Sequence, residues 1–265
     1  MSDYKLSDLK RILKDNIHDE DIVFIAGNLA NLGNFNSTNK LDLLNTFVDG
    51  VFEASKNEAT IMTQTMSFQI CNTNIVFDRY TWSNLGAFGN FLLRLKDSVR
   101  SFHPFASYTA FGKNANICDC FSPFAYGINS PYDKMLKFDK TTMISVGMIP
   151  HLTCSIVHNA EMNMNVPYRY IKEFYHPMKI NGEIVYKNVY LQCLYKELCN
   201  IPRNCNVKIF NHFIKNGGII KEIPLGKDKL YFYDYKAFYY SCIDAFSEDI
   251  FVWMSEEPSL RPFRN

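Results

Sequence analysis

His158 and Glu161 lie three residues apart in the stretch Thr-Cys-Ser-Ile-Val-His-Asn-Ala-Glu at 153–161. On a helix, residues at this spacing share one face. A carboxylate within reach of an imidazole orients the ring and stabilises its protonated form, as a general base requires. Upstream, residues 99–112 hold Arg100, Ser101, His103 before Pro104, Ser107 and a terminal Gly112. The proline biases His103 toward extended backbone. An arginine among hydroxyls and backbone donors suits a phosphate, although taken alone the stretch reads more readily as an ordinary loop entering a strand. Asp78, between Phe77 and Arg79, is a carboxylate that can receive an ammonium group or simply stand solvated beside an arginine. Cys154 and Ser155 flank the histidine and offer nucleophiles, but no Gly-x-Ser-x-Gly surrounds them. His-Glu-x-x-His and both glycine-rich nucleotide signatures are absent, so neither a zinc protease nor a common nucleotide fold is supported.

These residues need elements to position them. Leu6, Leu9, Ile12 and Leu13 repeat at helical spacing within 5–16, and Leu41 to Val51 do so within 40–55. Short apolar runs at 21–27, 60–66 and 141–147 read as buried strands. Residues 185–194 and 229–233 read as further strands, with helices at 85–95, 207–215 and 235–246. The helix carrying His158 begins near Thr153 or Ser155, either of which suits a cap. Strands alternating with helices predict an α/β fold, a mostly parallel sheet covered on both faces, in one domain over residues 1–265. Ligands in such folds sit at the carboxyl ends of the strands, which points to the loops after Ala26 and Gly147.

Bulk properties narrow the class. With 28 basic and 27 acidic residues and no basic stripe, nucleic acid is not the expected partner. Eight cysteines accompany an N-terminus without an apolar leader, so free thiols in a reducing cytoplasm are expected. No apolar run approaches a membrane span. The abundance of Asn, Lys, Ile, Phe and Tyr reads as the codon bias of an AT-rich bacterial genome.

In order along the chain, Phe77-Asp78, Leu85-Gly86-Ala87, Arg100-Ser101-Phe102-His103-Pro104-Phe105-Ala106-Ser107, Ser130-Pro131, Ser155-Ile156-Val157-His158-Asn159-Ala160-Glu161 and Pro167-Tyr168-Arg169 resemble the motifs of the aminoglycoside 3-N-acetyltransferase family. The resemblance covers roughly residues 20–170. It implies a three-layer α/β/α fold with a mixed sheet, and acetyl-CoA or another acyl-CoA as donor, with no metal. His158 would deprotonate the acceptor amine, Glu161 would hold the histidine, and attack on the thioester would be direct. Gly27, Asn28 and Leu29 would meet the cofactor through the backbone, and Arg100, Ser101, His103 and Ser107 would face its pantetheine or phosphates. Asp78 would bind the acceptor. The family's hydroxyl-bearing loop after the first strand is here Ala26-Gly27-Asn28-Leu29, which removes side-chain contacts to CoA.

The expected partners are therefore CoA and a small-molecule amine, with self-association left open. A near-neutral protein has no electrostatic reason to collect polycations, so a nucleotide-linked amino sugar for surface-glycan synthesis is the first expectation and an aminoglycoside the alternative. A Cys or Ser hydrolase and an inert CoA-binding protein are the readings from other classes.

Overall fold

Ile-Val-Phe-Ile at 22–25 is apolar without a break, and such a strand must be covered on both faces. In the computed structural model, which describes residues 2–203 and 207–264, it forms β1 (Ile22–Gly27), a central strand. Cys205 lies outside the described residues. β1 follows α1 (Leu6–Asn16) and precedes α2 (Lys40–Ala54), β2 (Thr60–Gln64), α3 (Ala87–Leu92), β3 (Val99–Arg100), β4 (Tyr108–Gly112), α4 (Pro131–Met135), β5 (Thr141–Val146) and α5 (Ile156–Asn163). Next come β6 (Arg169–Ile180), β7 (Glu183–Leu194), α6 (Lys208–Lys215), β8 (Lys221–Leu225), β9 (Asp228–Asp234) and α7 (Tyr235–Glu248).

The described residues form a seven-stranded mixed sheet in the order β3-β4-β2-β1-β5-β9-β8. Its core trio β2-β1-β5 is parallel, with Ile22 level with both Thr60 and Thr141. The flanking pairs on either side are antiparallel. Alternation along β1 sets the layers. Ile22 and Phe24 face a core shared with α4, α5, α6 and α7, whereas Val23 and Ile25 face one shared with α1, α2 and α3.

Two features were not foreseen. β6 and β7 make a separate long hairpin, closing through Asn181 and Gly182, both at positive φ, as a two-residue turn requires. β8 pairs with β9 through a second short turn at Gly226-Lys227.

β1 ends at Gly27, whose φ is +125° and whose missing Cβ would lie 2.2 Å from the Val146 carbonyl oxygen. No L-residue fits there without moving the β5 backbone. Gly27→Ala should therefore lower stability by about 2–3 kcal/mol, measured by chemical denaturation, because the contact is with backbone and has no flexible group to yield.

Candidate active site

α5 is mostly buried, with Ile156, Val157, Ala160 and Glu161 packed inward and His158 half-exposed. One helical turn brings the His158 Nδ1 to 2.5 Å from Glu161 Oε2. With Nδ1–H donating to the carboxylate, Nε2 carries the free lone pair, and it has no hydrogen-bond partner among the described residues. Glu161 is fully buried, and its Oε1 accepts the Tyr168 hydroxyl at 2.8 Å and lies 2.9 Å from Arg169 Nε. Burial pushes the Glu161 carboxyl up, but the charges of Arg169 and His158 outweigh it and hold the group at about 2. The carboxylate is thus ionised throughout the neutral range and fixes which ring nitrogen faces outward. The Tyr126 ring flanks the imidazole, with centroids 5.6 Å apart.

A cleft of about 530 Å³ opens at the carboxyl ends of the parallel strands. Its walls are Gly27, Asn28 and Leu29 at and after the end of β1, Thr63 and Gln64 at the end of β2, Gly86 to Gly89 at the start of α3, and Met148, Leu152 and Thr153 after β5. This is where a doubly covered sheet of this kind binds ligands. The Asn28 amide is bonded to the Val146 carbonyl at 2.8 Å, and that of Ala30 to Asn28 Oδ1. The Leu29 amide has no partner among the described residues, and the first-turn amides of α3 lack helical acceptors by geometry. The wall connects to the dyad through Gln64, which contacts Ser155, one turn before His158.

A family model for aminoglycoside 3-N-acetyltransferase matches residues 27–246. The chain belongs to the aminoglycoside 3-N-acetyltransferase family. It is thereby a CoA-dependent N-acetyltransferase in kind. The fold agrees. The chain is 19% identical to AAC-VIa in a sisomicin-bound structure, with a TM-score of 0.75, covering 91% of this chain and 97% of that one. It is 15% identical to AAC-IIIb in a binary structure with CoASH, with a TM-score of 0.73 and 94% and 98% coverage. The YokD protein from Bacillus subtilis gives 17% identity, a TM-score of 0.72 and 91% and 94% coverage. No curated protein sequence matches the chain.

Of the residues picked out from sequence, the structure brings His158 to Glu161 and sets Gly27, Asn28 and Leu29 on the cleft. It does not bring Arg100, Ser101, His103 or Ser107 to that wall. The Arg100 guanidinium is buried and donates to Ser107 Oγ, Ser67 Oγ and the carbonyls of Thr65, Arg79 and Thr81, so every arm has a protein acceptor. Ser101 Oγ accepts the Tyr108 amide. His103 Nδ1 accepts the amides of Phe105 and Ala106, while its Nε2–H donates to the Tyr190 carbonyl of β7. Burial holds this imidazole down at about 4, so it stays neutral. In the described residues these four side chains tie together β3, the loop after β2 and the β6–β7 hairpin. Asp78 is also apart from the cleft wall, its Oδ1 accepting the Tyr80 amide in a tight turn. Arg100→Met should cost about 3 kcal/mol of stability by leaving buried acceptors unpaired, yet leave the KM for acetyl-CoA near wild type. A rise in KM without loss of stability would return Arg100 to the cofactor.

The hydrolase reading finds no nucleophile. Burial pushes the Cys154 thiol far up, and Ser155 is bonded to Gln64 and Tyr132 and not to His158. Among the described residues no group of His, Cys, Asp and Glu could hold a metal ion, and no helix is long and apolar enough to cross a membrane. Sequence reasoning passed over Gln64, Tyr126 and Arg169. Arg169 stood inside the Pro167-Tyr168-Arg169 motif, and that was the signal available.

Proposed function

We propose that this protein transfers the acetyl group of acetyl-CoA to a primary amine of an aminoglycoside, with His158 as general base. The observation that carries the reading is the half-exposed imidazole whose Nδ1 is tied to a buried, ionised carboxylate, one turn from Ser155, which in turn contacts Gln64 on the cleft wall. The free amine attacks the thioester carbon, and the proton it sheds passes to Nε2. Glu161 stabilises the imidazolium so formed and keeps the ring from turning. CoA would lie along the cleft, with the backbone of Gly27 to Leu29 and the amides at the start of α3 as its polar contacts. The Leu29 amide, free of an internal acceptor, suits the thioester oxygen.

Family membership, together with related folds solved with sisomicin and with a gentamicin, favours an aminoglycoside acceptor. The nucleotide-linked amino sugar expected from composition gives way, because net charge reports the whole surface and not the field at one cleft. The deciding assay is thiol release from acetyl-CoA with aminoglycosides beside nucleotide-linked amino sugars. Turnover confined to aminoglycosides is expected. Turnover confined to nucleotide-linked sugars would overturn the acceptor, and no turnover alongside CoA binding would reduce the protein to a binder.

A further inference from the structure

The outer edges of the two sheets are not equally protected. In the seven-stranded sheet β3 spans two residues and β8 carries Pro224, and each device blunts an edge. The β6–β7 hairpin differs. On β7 the Tyr190 amide donates outward to the Pro123 carbonyl at 2.7 Å, and the Tyr190 carbonyl accepts the Ala125 amide at 3.2 Å. Backbone groups alternate along a strand, so those of Asn188, Tyr186 and Ile184 point to the same edge. No partner for these groups lies among the described residues. Ile184 and Tyr186 are 60% and 48% exposed, and the Tyr186 ring stacks on that of Tyr175, which is 69% exposed. The open stretch, 183–188, holds no proline, and its pairing with β6 runs without a bulge. On β6 the outer edge is closed at Pro177 and Lys179 by Phe77. What stays open there, 171–175, is centred on Glu173, which would meet its own charge in a second copy.

We infer that two copies of this chain pair antiparallel through the 183–188 edge of β7, joining their hairpins into one continuous sheet about a two-fold axis at Val185. Charge and space together select that axis. Ile184 and Tyr186 of one copy then stand opposite Tyr186 and Ile184 of the other and exchange their outward N–H and C=O groups. Glu183 faces Lys187 of the other copy, and the symmetry makes this opposite-charge pair twice. Moving the axis to Tyr186 sets Lys187 against Val185 and loses both pairs. Moving it to Lys187 brings Ile184 of the other copy onto the Tyr190 groups that the Pro123–Ala125 segment already occupies. On one face of the joined sheet, Tyr175, Tyr186 and Ile184 of both copies form a single apolar row and cover one another from water.

Sedimentation of the full-length protein at concentrations up to about 100 µM reads the pairing. The wild type should be a dimer there. Glu183→Lys and Lys187→Glu each set like charges face to face at both ends of the contact, and each should raise the dimer Kd about tenfold or more. The two together restore opposite charges and should bring the Kd back to within about threefold of wild type. Both residues are exposed, so neither reversal threatens the fold. Tyr186→Pro removes an outward donor without touching the ladder to β6, and should also dissociate the dimer. A wild type that is monomeric at the highest concentration overturns the inference. A dimer that neither charge reversal weakens lies on another surface and overturns it as well. Weakening by each reversal without recovery in the pair overturns the Val185 axis. None of these outcomes depends on which amine the enzyme acetylates, so the functional reading stands or falls separately.

Discussion

Replacing His158 with alanine should lower kcat/KM for acetyl transfer by about 10³–10⁴, at the upper end of what one general base contributes. The reason is geometric. Nδ1 is committed to Glu161 and Nε2 is the outward basic atom of α5, so its loss leaves the acceptor amine to shed its proton to water. CoA binding should be untouched, because the cleft is built from the ends of β1 and β2 and the start of α3, and His158 is not part of its wall. The residual rate should climb with pH as more acceptor is free amine, and added imidazole should restore part of the loss. Steady-state kinetics with and without imidazole, beside CoA titration, checks all three. Unchanged kcat/KM would remove the base from the mechanism, and weakened CoA binding would move His158 into the cofactor site.

How far this site was legible depends on whether its determinants are local. The His158–Glu161 pair is set by one helical turn, so spacing alone predicts the contact. The β1 loop follows from an apolar run ending in glycine at the end of a parallel strand, a position where ligands gather. Arg100 was not legible, because its acceptors come from positions 65, 67, 79, 81 and 107 and converge only through the pairing of β3 with β4 and the course of the loop after β2. An arginine beside hydroxyls looks alike in a string whether those hydroxyls wait for a phosphate or for the guanidinium itself. The same non-locality hid His103, whose partner at Tyr190 belongs to a distant hairpin. That hairpin did carry a local signal: Asn181-Gly182 between two alternating segments is a hairpin turn in sequence, with Ile180 and Glu183 facing across it. The interruption of β6 by Pro177 and its exposed polar residues masked the first strand. The sheet's parallel character was legible in its three central strands, where apolar runs alternate with helices. Its antiparallel flanks were not, since β3 spans two residues and β8 is largely exposed.

Glu161→Gln gives the second large effect, and it separates catalysis from stability. The amide has the carboxylate's shape without its charge. It cannot stabilise the imidazolium, and it can present its NH₂ to the ring and select the wrong tautomer. Acetyl transfer should fall by roughly 10³-fold, mostly in kcat, comparable to other cases where a histidine loses its orienting carboxylate. Stability should also fall, by about 3 kcal/mol at neutral pH, because Arg169 is left buried without a counter-charge. The sign of the pH dependence follows from the depressed Glu161 carboxyl, held at about 2 against an ordinary 4.5. Its contribution is complete above 4.5, where the unfolded chain is also ionised, and is lost as pH falls from 4.5 toward 2. The stability gap between wild type and Glu161→Gln should therefore be widest above pH 4.5 and close as pH falls toward 2. Denaturation of both proteins across that window measures it. A gap independent of pH would mean that Glu161 contributes shape and not charge, and the base would then have to work without an ionised partner.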